Sequence, residues 1–348
     1  MKNKIIIIIP NYNGQKYFAD LLPLLAQEKY LDFSLEIVIV DNNSADQSRE
    51  YLENNYPQFT LIKNKENIGY VGANNKGYQY ARKKKAKYIY LLNQDTVITK
   101  GFLQPLYDFA EKNEFGSLQS KIKLYPQQDK INSLGNIIHF LGFGYTDQYQ
   151  KKDNEQQKIK KINYSSGAGV FISRKALEDL GYLFDETMFM YLEDLDLGWS
   201  LNLLGYYNYL IPESIIYHKY EFKKGRKQIY WFERNRLWII LKNYKLKTLI
   251  LIFPPYLIME LGQLFYAWQH KYLLEKLRSY SFLFSPRQLK ILKAKRKYLQ
   301  KKRKVSDRKI ISSFSGEILF QPLNSRALQI ANFFFKIYYK VIRLLIIW

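Results

Sequence analysis

The stretch Ile5-Ile6-Ile7-Ile8-Ile9-Pro10-Asn11-Tyr12-Asn13-Gly14 decides the architecture. Five β-branched residues in a row form too short an apolar run for a signal-peptide core, which needs roughly seven or more. The run reads as a strand buried on both faces, closed by a polar turn. With Met1-Lys2-Asn3-Lys4 ahead of it, the expectation is a mature protein that begins at Met1 without a leader. The same pattern repeats downstream. Leu35–Val40 is a second apolar run ending at Asp41, Phe59–Ile62 a short third, and Tyr88–Leu92 a fourth ending at Asn93-Gln94-Asp95. Helical patterns separate them: Phe18, Leu21, Leu22 and Leu25 share one face, Ser44 and Asp46 are placed to cap Arg49–Leu52, and Ala73–Ala81 forms a third helix. Apolar runs alternating with helices predict an α/β protein with a parallel sheet covered on both sides.

Further along, Pro126–Lys130 and Thr146–Lys161 read as loops. Val170–Ile172 is a strand, Leu195–Leu204 a helix stopped by Gly205, and Tyr206–Ile211 a strand ending before Pro212. Beyond about Trp231 the character changes. Leu249–Trp268 is apolar but interrupted by Pro254-Pro255, Glu260 and Gln263, which predicts a re-entrant or in-plane segment rather than a span. In the last 22 residues Gln329, Asn332, Lys336, Lys340 and Arg343 recur every three or four positions, so they form one stripe on an otherwise apolar helix. Such a helix can lie in a membrane interface.

The 348 residues carry 54 Lys+Arg against 31 Asp+Glu, a formal charge of +23. The excess concentrates between Lys271 and Lys309, where 15 cations face only Glu275 and Asp307. Next to apolar segments, that run favours an anionic surface. The absence of cysteine excludes disulfides, thiolate nucleophiles and iron–sulfur clusters, and three histidines exclude a histidine-rich metal site.

In parallel α/β sheets ligands bind at the carboxyl ends of the strands. Asn11, Asp41 and Asp95 lie there. Neither a P-loop nor a G-x-G-x-x-G turn follows the first strand, so a nucleotide would be held by carboxylates and amides. Asp41 can accept from a base or ribose, and the stretch holding Asn67, Gly69, Gly72, Asn74 and Asn75 allows close backbone approach. Each also has an ordinary reading as a cap or loop former.

Taken in order, Ile-Pro-Asn-Tyr-Asn-Gly (9–14), Val-Asp-Asn-Asn-Ser (40–44), Asn-Ile-Gly-Tyr-Val-Gly-Ala-Asn-Asn-Lys-Gly (67–77) and Leu-Leu-Asn-Gln-Asp-Thr (91–96) resemble family 2 glycosyltransferases of the GT-A fold, nearest to their rhamnosyltransferase-like branch. Ser-Gly-Ala-Gly-Val-Phe-Ile-Ser-Arg (166–174), Phe-Asp-Glu (184–186), Met-Tyr-Leu-Glu-Asp-Leu-Asp-Leu (190–197) and Ile-Tyr-His (216–218) continue the resemblance to about residue 240. It implies a Rossmann-like nucleotide-sugar-binding domain over 1–240, with a donor half to about 115 and an acceptor half from 116, followed by a helical membrane-associating extension over 241–348. It implies donor contacts at Pro10, Asn11, Tyr12, Asn13, Asp41, Asn67, Gly69, Asn74, Asn93, Asp95 and Gly167. Asn93-Gln94-Asp95 takes the place of the family's Asp-X-Asp element, with Asn for the first acid. A divalent metal, Mg²⁺ or Mn²⁺, would then rest on Asp95 and His218, with one negative charge fewer than usual. A packed or capping role for His218 stays open.

Transfer from a sugar nucleotide needs one base for the acceptor hydroxyl and charge stabilisation for the leaving diphosphate. A single displacement with inversion follows, in contrast to the paired carboxylates of glycosidases. Asp194 is the expected base and Glu193 its substitute. The helix N-terminus that Glu193, Asp194 and Asp196 occupy lowers their pKa values, while their crowding opposes that. The processive branch carries Gln-X-X-Arg-Trp. This chain has Arg234-Asn235-Arg236-Leu237-Trp238 instead, implying one sugar added per encounter. The expected protein is an inverting, non-processive glycosyltransferase, with rhamnose the sugar that the branch resemblance suggests, acting on a lipid-linked or cell-surface polysaccharide precursor. It would sit peripherally or monotopically on the cytoplasmic face of the cell membrane, with no nucleic-acid partner. The alternatives are a catalytically silent assembly subunit of the same fold, suggested by Asn93, and a nucleic-acid binder using Lys271–Lys309. Intact Asp95, Asp194 and His218 oppose the first. A basic stretch poor in aromatics opposes the second.

Overall fold

The computed structural model describes residues 2–154, 156–220, 226–319 and 326–348. Met1 lies outside them. The first alternating run is β1 (Asn3–Asn11), α1 (Gln15–Gln27), β2 (Phe33–Asp41), α2 (Ser48–Asn55), β3 (Thr60–Lys63), α3 (Gly69–Lys83) and β4 (Tyr88–Leu92). Next come β5 (Thr96–Ile98), α4 (Gln104–Lys112), β6 (Ser117–Leu124), β7 (Ile131–Ser133), β8 (Asn136–Ile138), β9 (Gly144–Thr146), β10 (Lys160–Ile162), β11 (Gly169–Ser173), α5 (Arg174–Leu180), α6 (Glu193–Leu203) and β12 (Asn208–His218). The C-terminal part holds α7 (Arg226–Asn243), α8 (Leu246–Gln269), α9 (Leu273–Phe284), α10 (Pro286–Lys302), α11 (Asp307–Ser312) and α12 (Arg326–Leu345).

The isoleucine run is the central strand. All five side chains are fully buried, Ile6 and Ile8 in the core on one face, Ile5, Ile7 and Ile9 in the core on the other. Each buried isoleucine contributes roughly 1.5–3 kcal/mol, which explains why no polar residue alternates with them. The sheet runs β3-β2-β1-β4-β11-β6-β12-β10. The first four strands are parallel, and β11 lies antiparallel to both β4 and β6. The chain leaves β1 toward β2 and β3, then returns to β4 on the other side of β1. That reversal opens a crevice at the carboxyl ends of β1 and β4, the place where open α/β sheets take ligands.

Several local expectations are corrected. The helix expected from Ala73 begins at Gly69. Ser44 does not cap α2; its hydroxyl bonds Asp41 and accepts from the Asn11 amide and the Asn13 N–H. Pro212 does not end the last strand: β12 continues to His218 through a register shift between Ile211 and Ile215, where a residue without an N–H is tolerated.

In Leu249–Trp268 the expected interruption at Pro254-Pro255 is absent, and the stretch is a continuous part of α8. Pro255 has no N–H for the Leu251 carbonyl, and the Tyr338 hydroxyl on α12 donates to that oxygen instead at 2.7 Å. Glu260 and Gln263 turn inward. Glu260 accepts from Arg236 of α7 and from Tyr280 of α9, and pairs with Lys276 at 2.7 Å, while Gln263 accepts from Arg236 (3.1 Å) and Lys276 (2.6 Å). At about 36 Å long, α8 is the helix among the described residues with the length and composition to cross a bilayer. It is nevertheless bound along its length to the body, at Thr248 to Asp307, at Leu251 to Tyr338 and at Glu260 to α7 and α9.

The basic run is also less of a free surface than its composition implied. Several of its counter-charges come from elsewhere in the chain: Lys276 pairs with Glu233 and Glu260, and Lys295 with Asp185 at 2.8 Å, while Arg303 pairs with Asp307 inside the run. Arg296 donates to the carbonyls of Leu241 and Tyr244. Residue 240 falls inside α7, and α9 and α10 pack back onto that helix.

Because Tyr338 replaces the N–H that Pro255 lacks, Tyr338→Phe should cost about 1 kcal/mol of stability. In a Pro255→Ala background the restored N–H refills the Leu251 carbonyl, so the same substitution should cost little. Denaturant unfolding of the four proteins reads the coupling; equal costs in both backgrounds would remove the assignment.

Candidate active site

Two clusters meet at the strand-end crevice. On the donor side, β5 pairs antiparallel with the end of β12, Thr96 opposite His218. This brings His218 Nε2 to 3.3 Å from Asp95 Oδ1, while His218 Nδ1 lies 3.2 Å from Asn132 Oδ1. Burial pushes the Asp95 carboxyl up, but the adjacent His218 charge and hydrogen bond outweigh it and leave the group below its ordinary range. Asn93 Oδ1 is buried without a partner. Among the described residues no group of three His, Cys, Asp or Glu side chains forms a metal cage. One carboxylate, one imidazole and an unused amide oxygen nonetheless suit a hard cation that takes its remaining ligands from phosphate and water.

Gln94, the middle residue of this element, has a role that spacing did not reveal. Its amide accepts from the Tyr12 N–H at 3.0 Å and donates to the Tyr12 carbonyl at 3.2 Å. The turn after β1 is thereby tied to the end of β4. Asp41 differs from expectation. It is fully buried, and its two oxygens accept from Asn11 Nδ2 (2.8 Å), the Ser44 hydroxyl, the Ser44 N–H (3.1 Å) and Arg49 Nε. Burial raises this carboxyl, and those donors more than offset it. In this conformation no lone pair is left for a base or ribose; Asp41 organises the loop around Asn11 and Asn13. Asn67 accepts from the Gly69 N–H (2.9 Å), and Gly69 accepts from the Asn42 amide (2.9 Å). Gly69 has φ +77°, and a Cβ there would come within 2.4 Å of the Phe189 carbonyl oxygen. Asn74 donates to the Tyr70 carbonyl at 2.9 Å.

The acceptor side is built on the start of α6. Tyr191 and Leu192 both have left-handed backbones, φ 70° and 64°, conformations that are costly for bulky residues. Asn235 of α7 holds this turn, its amide donating to the carbonyls of Met190 (3.0 Å) and Tyr191 (2.7 Å). Beside it Arg234 donates to the Thr187 carbonyl at 2.7 Å. The turn presents Glu193 and Asp194. Asp194 is half-buried and accepts one N–H on each oxygen, from Gly167 (3.1 Å) and Leu195 (2.8 Å). Glu193 is buried, with Oε2 unpartnered. Burial raises both carboxyls, the Asp194 charge raises Glu193 further, and the N–H bonds to Asp194 only partly oppose its shift. The helix N-terminus therefore does not set these groups, and burial outweighs the crowding that was expected to raise them. Asp196 points away, into a buried cluster with Lys242 and Asn243.

Tyr70 of α3 is tied to the acceptor cluster and feels the charges of both clusters. Its hydroxyl donates to the Gly167 carbonyl at 2.8 Å, and Gly167 in turn donates to Asp194. Burial first, then the charges of Glu193, Asp194 and Asp95, hold this phenol well above its ordinary pKa. Neither Tyr70 nor Asn235 stood out in the sequence, though both lie in stretches quoted above.

The chain matches glycosyl transferase family 2 over residues 6–181, and it belongs to that family. N-acetylglucosaminyl-diphospho-decaprenol L-rhamnosyltransferase of Mycobacterium tuberculosis is 25% identical over 213 residues, 55% of this chain and 69% of the relative. The crystal structure of GalNAc-T7 with UDP, GalNAc and Mn²⁺ superposes with a TM-score of 0.55 at 14% identity, over 69% of this chain and 48% of that one. The structure of S. aureus TarS 1-349 matches with a TM-score of 0.51 at 17% identity, over 99% and 90% of the two chains. The fold is that of GT-A glycosyltransferases, and the protein is a glycosyltransferase.

Two outcomes follow. Asn235→Ala should lower kcat by roughly 10- to 100-fold, the scale of a misplaced catalytic group, with donor affinity nearly unchanged. Asn235→Asp, which lacks the donating amide, should not rescue it. Loss confined to donor affinity would contradict the positioning role. The second outcome concerns charge. Unfolded Glu193 titrates at about 4.3, whereas the folded protein keeps its proton to higher pH. Between those values the native state binds more protons, so stability falls as pH rises. Glu193→Gln should therefore raise Tm at pH 7.5 by about 2 °C or more, and the gain should vanish near pH 4. A gain independent of pH would contradict the burial argument.

Proposed function

We propose that the protein is an inverting, non-processive transferase that moves a sugar from a nucleoside diphosphate to a hydroxyl of a lipid-linked or cell-surface glycan precursor. The observation that carries this reading is the acid pair with raised pKa values, tied through Gly167 to Tyr70, a phenol that also feels the charge of Asp95 in the Asp95–His218 pair. Asp194 is the base: it is the more accessible of the two acids, and each of its oxygens has one N–H donor, which leaves a lone pair for the acceptor proton. As that proton moves to Asp194, the acceptor oxygen bonds the anomeric carbon from the face opposite the diphosphate. The carbon–oxygen bond to the diphosphate breaks, and the electron pair leaves with it. Bound at Asp95, His218 and the Asn93 amide oxygen, a divalent cation would stabilise charge on the departing group. Pro10, Tyr12 and Asn13 line the donor turn that Gln94 and Asp41 hold in place.

Rhamnose is the proposed sugar, on the resemblance to the rhamnosyltransferase branch and on the relative whose name carries that activity. The proposed location is the cytoplasmic membrane face, with attachment from one side. Support comes from exposed apolar side chains on three helices, among them Phe253, Leu261, Phe265 and Trp268 of α8, Leu274 of α9, and Phe334 and Leu344 of α12. The points that bind α8 to the body suit a helix lying in the plane of the surface.

Asp194→Asn should keep nucleotide-sugar affinity by calorimetry and lose transfer by about 10²-fold or more. Glu193→Gln should lose less. NMR of the product should give the anomer inverted relative to the donor. Near-normal turnover in Asp194→Asn, or retention of configuration, would overturn the mechanism.

A further inference from the structure

A cavity of about 480 Å³ lies between β10, the β8–β9 hairpin and α12, and none of the active-site residues lines it. Its wall carries Lys160, Lys161, Lys336, Lys340 and Arg343. Two acids accompany them, and both are neutralised: Asp147 by Lys160 at 2.7 Å and Glu317 by Lys336 at 3.0 Å. Among the described residues, three cations remain without a carboxylate. Lys161 lies 3.5 Å from the Tyr207 ring centre and Arg343 lies 5.5 Å from that of Tyr339, while Lys340 has no partner among the described residues. Like charges around one concavity repel until an anion enters.

The neighbouring helix indicates which anion. α12 buries Phe335, Tyr339 and Ile342 against the body. It leaves a second apolar face open, with Ile330, Phe334, Ile337, Val341 and Leu344 exposed. The cations of α12 therefore border both the cavity and an uncovered apolar surface. A free phosphate would satisfy only the first. A phosphate carrying acyl chains would satisfy both, with its head in the cavity and its chains along the helix.

We propose that this cavity is a headgroup site for an anionic phospholipid. The proposal rests on the membrane-surface reading above and adds to it a defined site for the lipid phosphate. It distinguishes Lys161, Lys340 and Arg343 from the other cations of a highly basic protein. Diffuse attraction treats all exposed cations alike, whereas a headgroup site does not.

The test is co-sedimentation of the full chain with phosphatidylcholine vesicles and with vesicles containing phosphatidylglycerol. Replacing Lys161, Lys340 and Arg343 together by Gln should reduce the preference for the anionic vesicles by on the order of 10- to 100-fold, with partition onto neutral vesicles little changed. Lys340→Arg with Arg343→Lys keeps the charge and should keep the preference. Replacing Lys290, Lys293 and Lys297, exposed on α10 and outside the cavity, should reduce it much less. An equal loss from that control triplet overturns the site and leaves the membrane reading standing. Wild-type protein that sediments with neither vesicle overturns the membrane reading, and the site falls with it. Inorganic phosphate that binds the wild type but not the triple variant, and displaces it from anionic vesicles at micromolar concentration, assigns the cavity to a soluble anion and also overturns the proposal.

Discussion

The hydrogen bond from the Gly167 N–H to Asp194 is the contact on which the site depends. Gly167 stands just before β11, the strand that pairs with β4. Asp194 stands at the head of α6, a helix far along the chain. The backbone of this one residue faces both, accepting from Tyr70 at its carbonyl and donating to Asp194 at its N–H. A Cβ at Gly167 would come within 2.8 Å of the Tyr70 hydroxyl. The donor-side helix α3 and the acceptor-side helix α6 are thus set relative to each other through a residue that cannot carry a side chain without moving Tyr70.

The C-terminal helices support the same arrangement. Asn235 holds the left-handed turn ahead of the acid pair, and the buried ions of α7 tie that helix to its surroundings. Lys242 pairs with Asp185 and Asp196, and Arg236 pairs with Glu233 and Glu260. Buried pairs of this kind add little net stability, but removing one partner strands a charge at about 3–5 kcal/mol. Their effect is to specify one placement of α7, and so one geometry for the turn at Tyr191 and Leu192. The helices proposed to face the membrane are bound to the helix that positions the acids.

Most of the sheet was legible from Ile5–Ile9, Leu35–Val40 and Tyr88–Leu92, because a strand buried on both faces leaves a continuous apolar run. The acids were legible as a motif, but their environment was not. Their raised pKa values come from burial that only the packed structure determines. Asp41 was misjudged for a related reason: a carboxylate at a strand end can face a ligand or the interior, and the donors from Asn11, Ser44 and Arg49 decide between them. The prolines of α8 misled because the partner that compensates Pro255, Tyr338, is 83 residues away. Likewise several counter-ions of the basic run, Glu233, Glu260 and Asp185, lie outside it, so local charge overstated the free cationic surface.

The most direct measurement is a crystal structure of the full chain with an intact nucleotide-sugar and Mg²⁺. The account predicts the nucleoside in the crevice at the carboxyl ends of β1 and β2, the diphosphate against Asp95 and His218, and the anomeric carbon turned toward Asp194 with room for an acceptor hydroxyl between them. A donor whose diphosphate lies away from Asp95, or whose sugar shields its anomeric carbon from both Asp194 and Glu193, would contradict it.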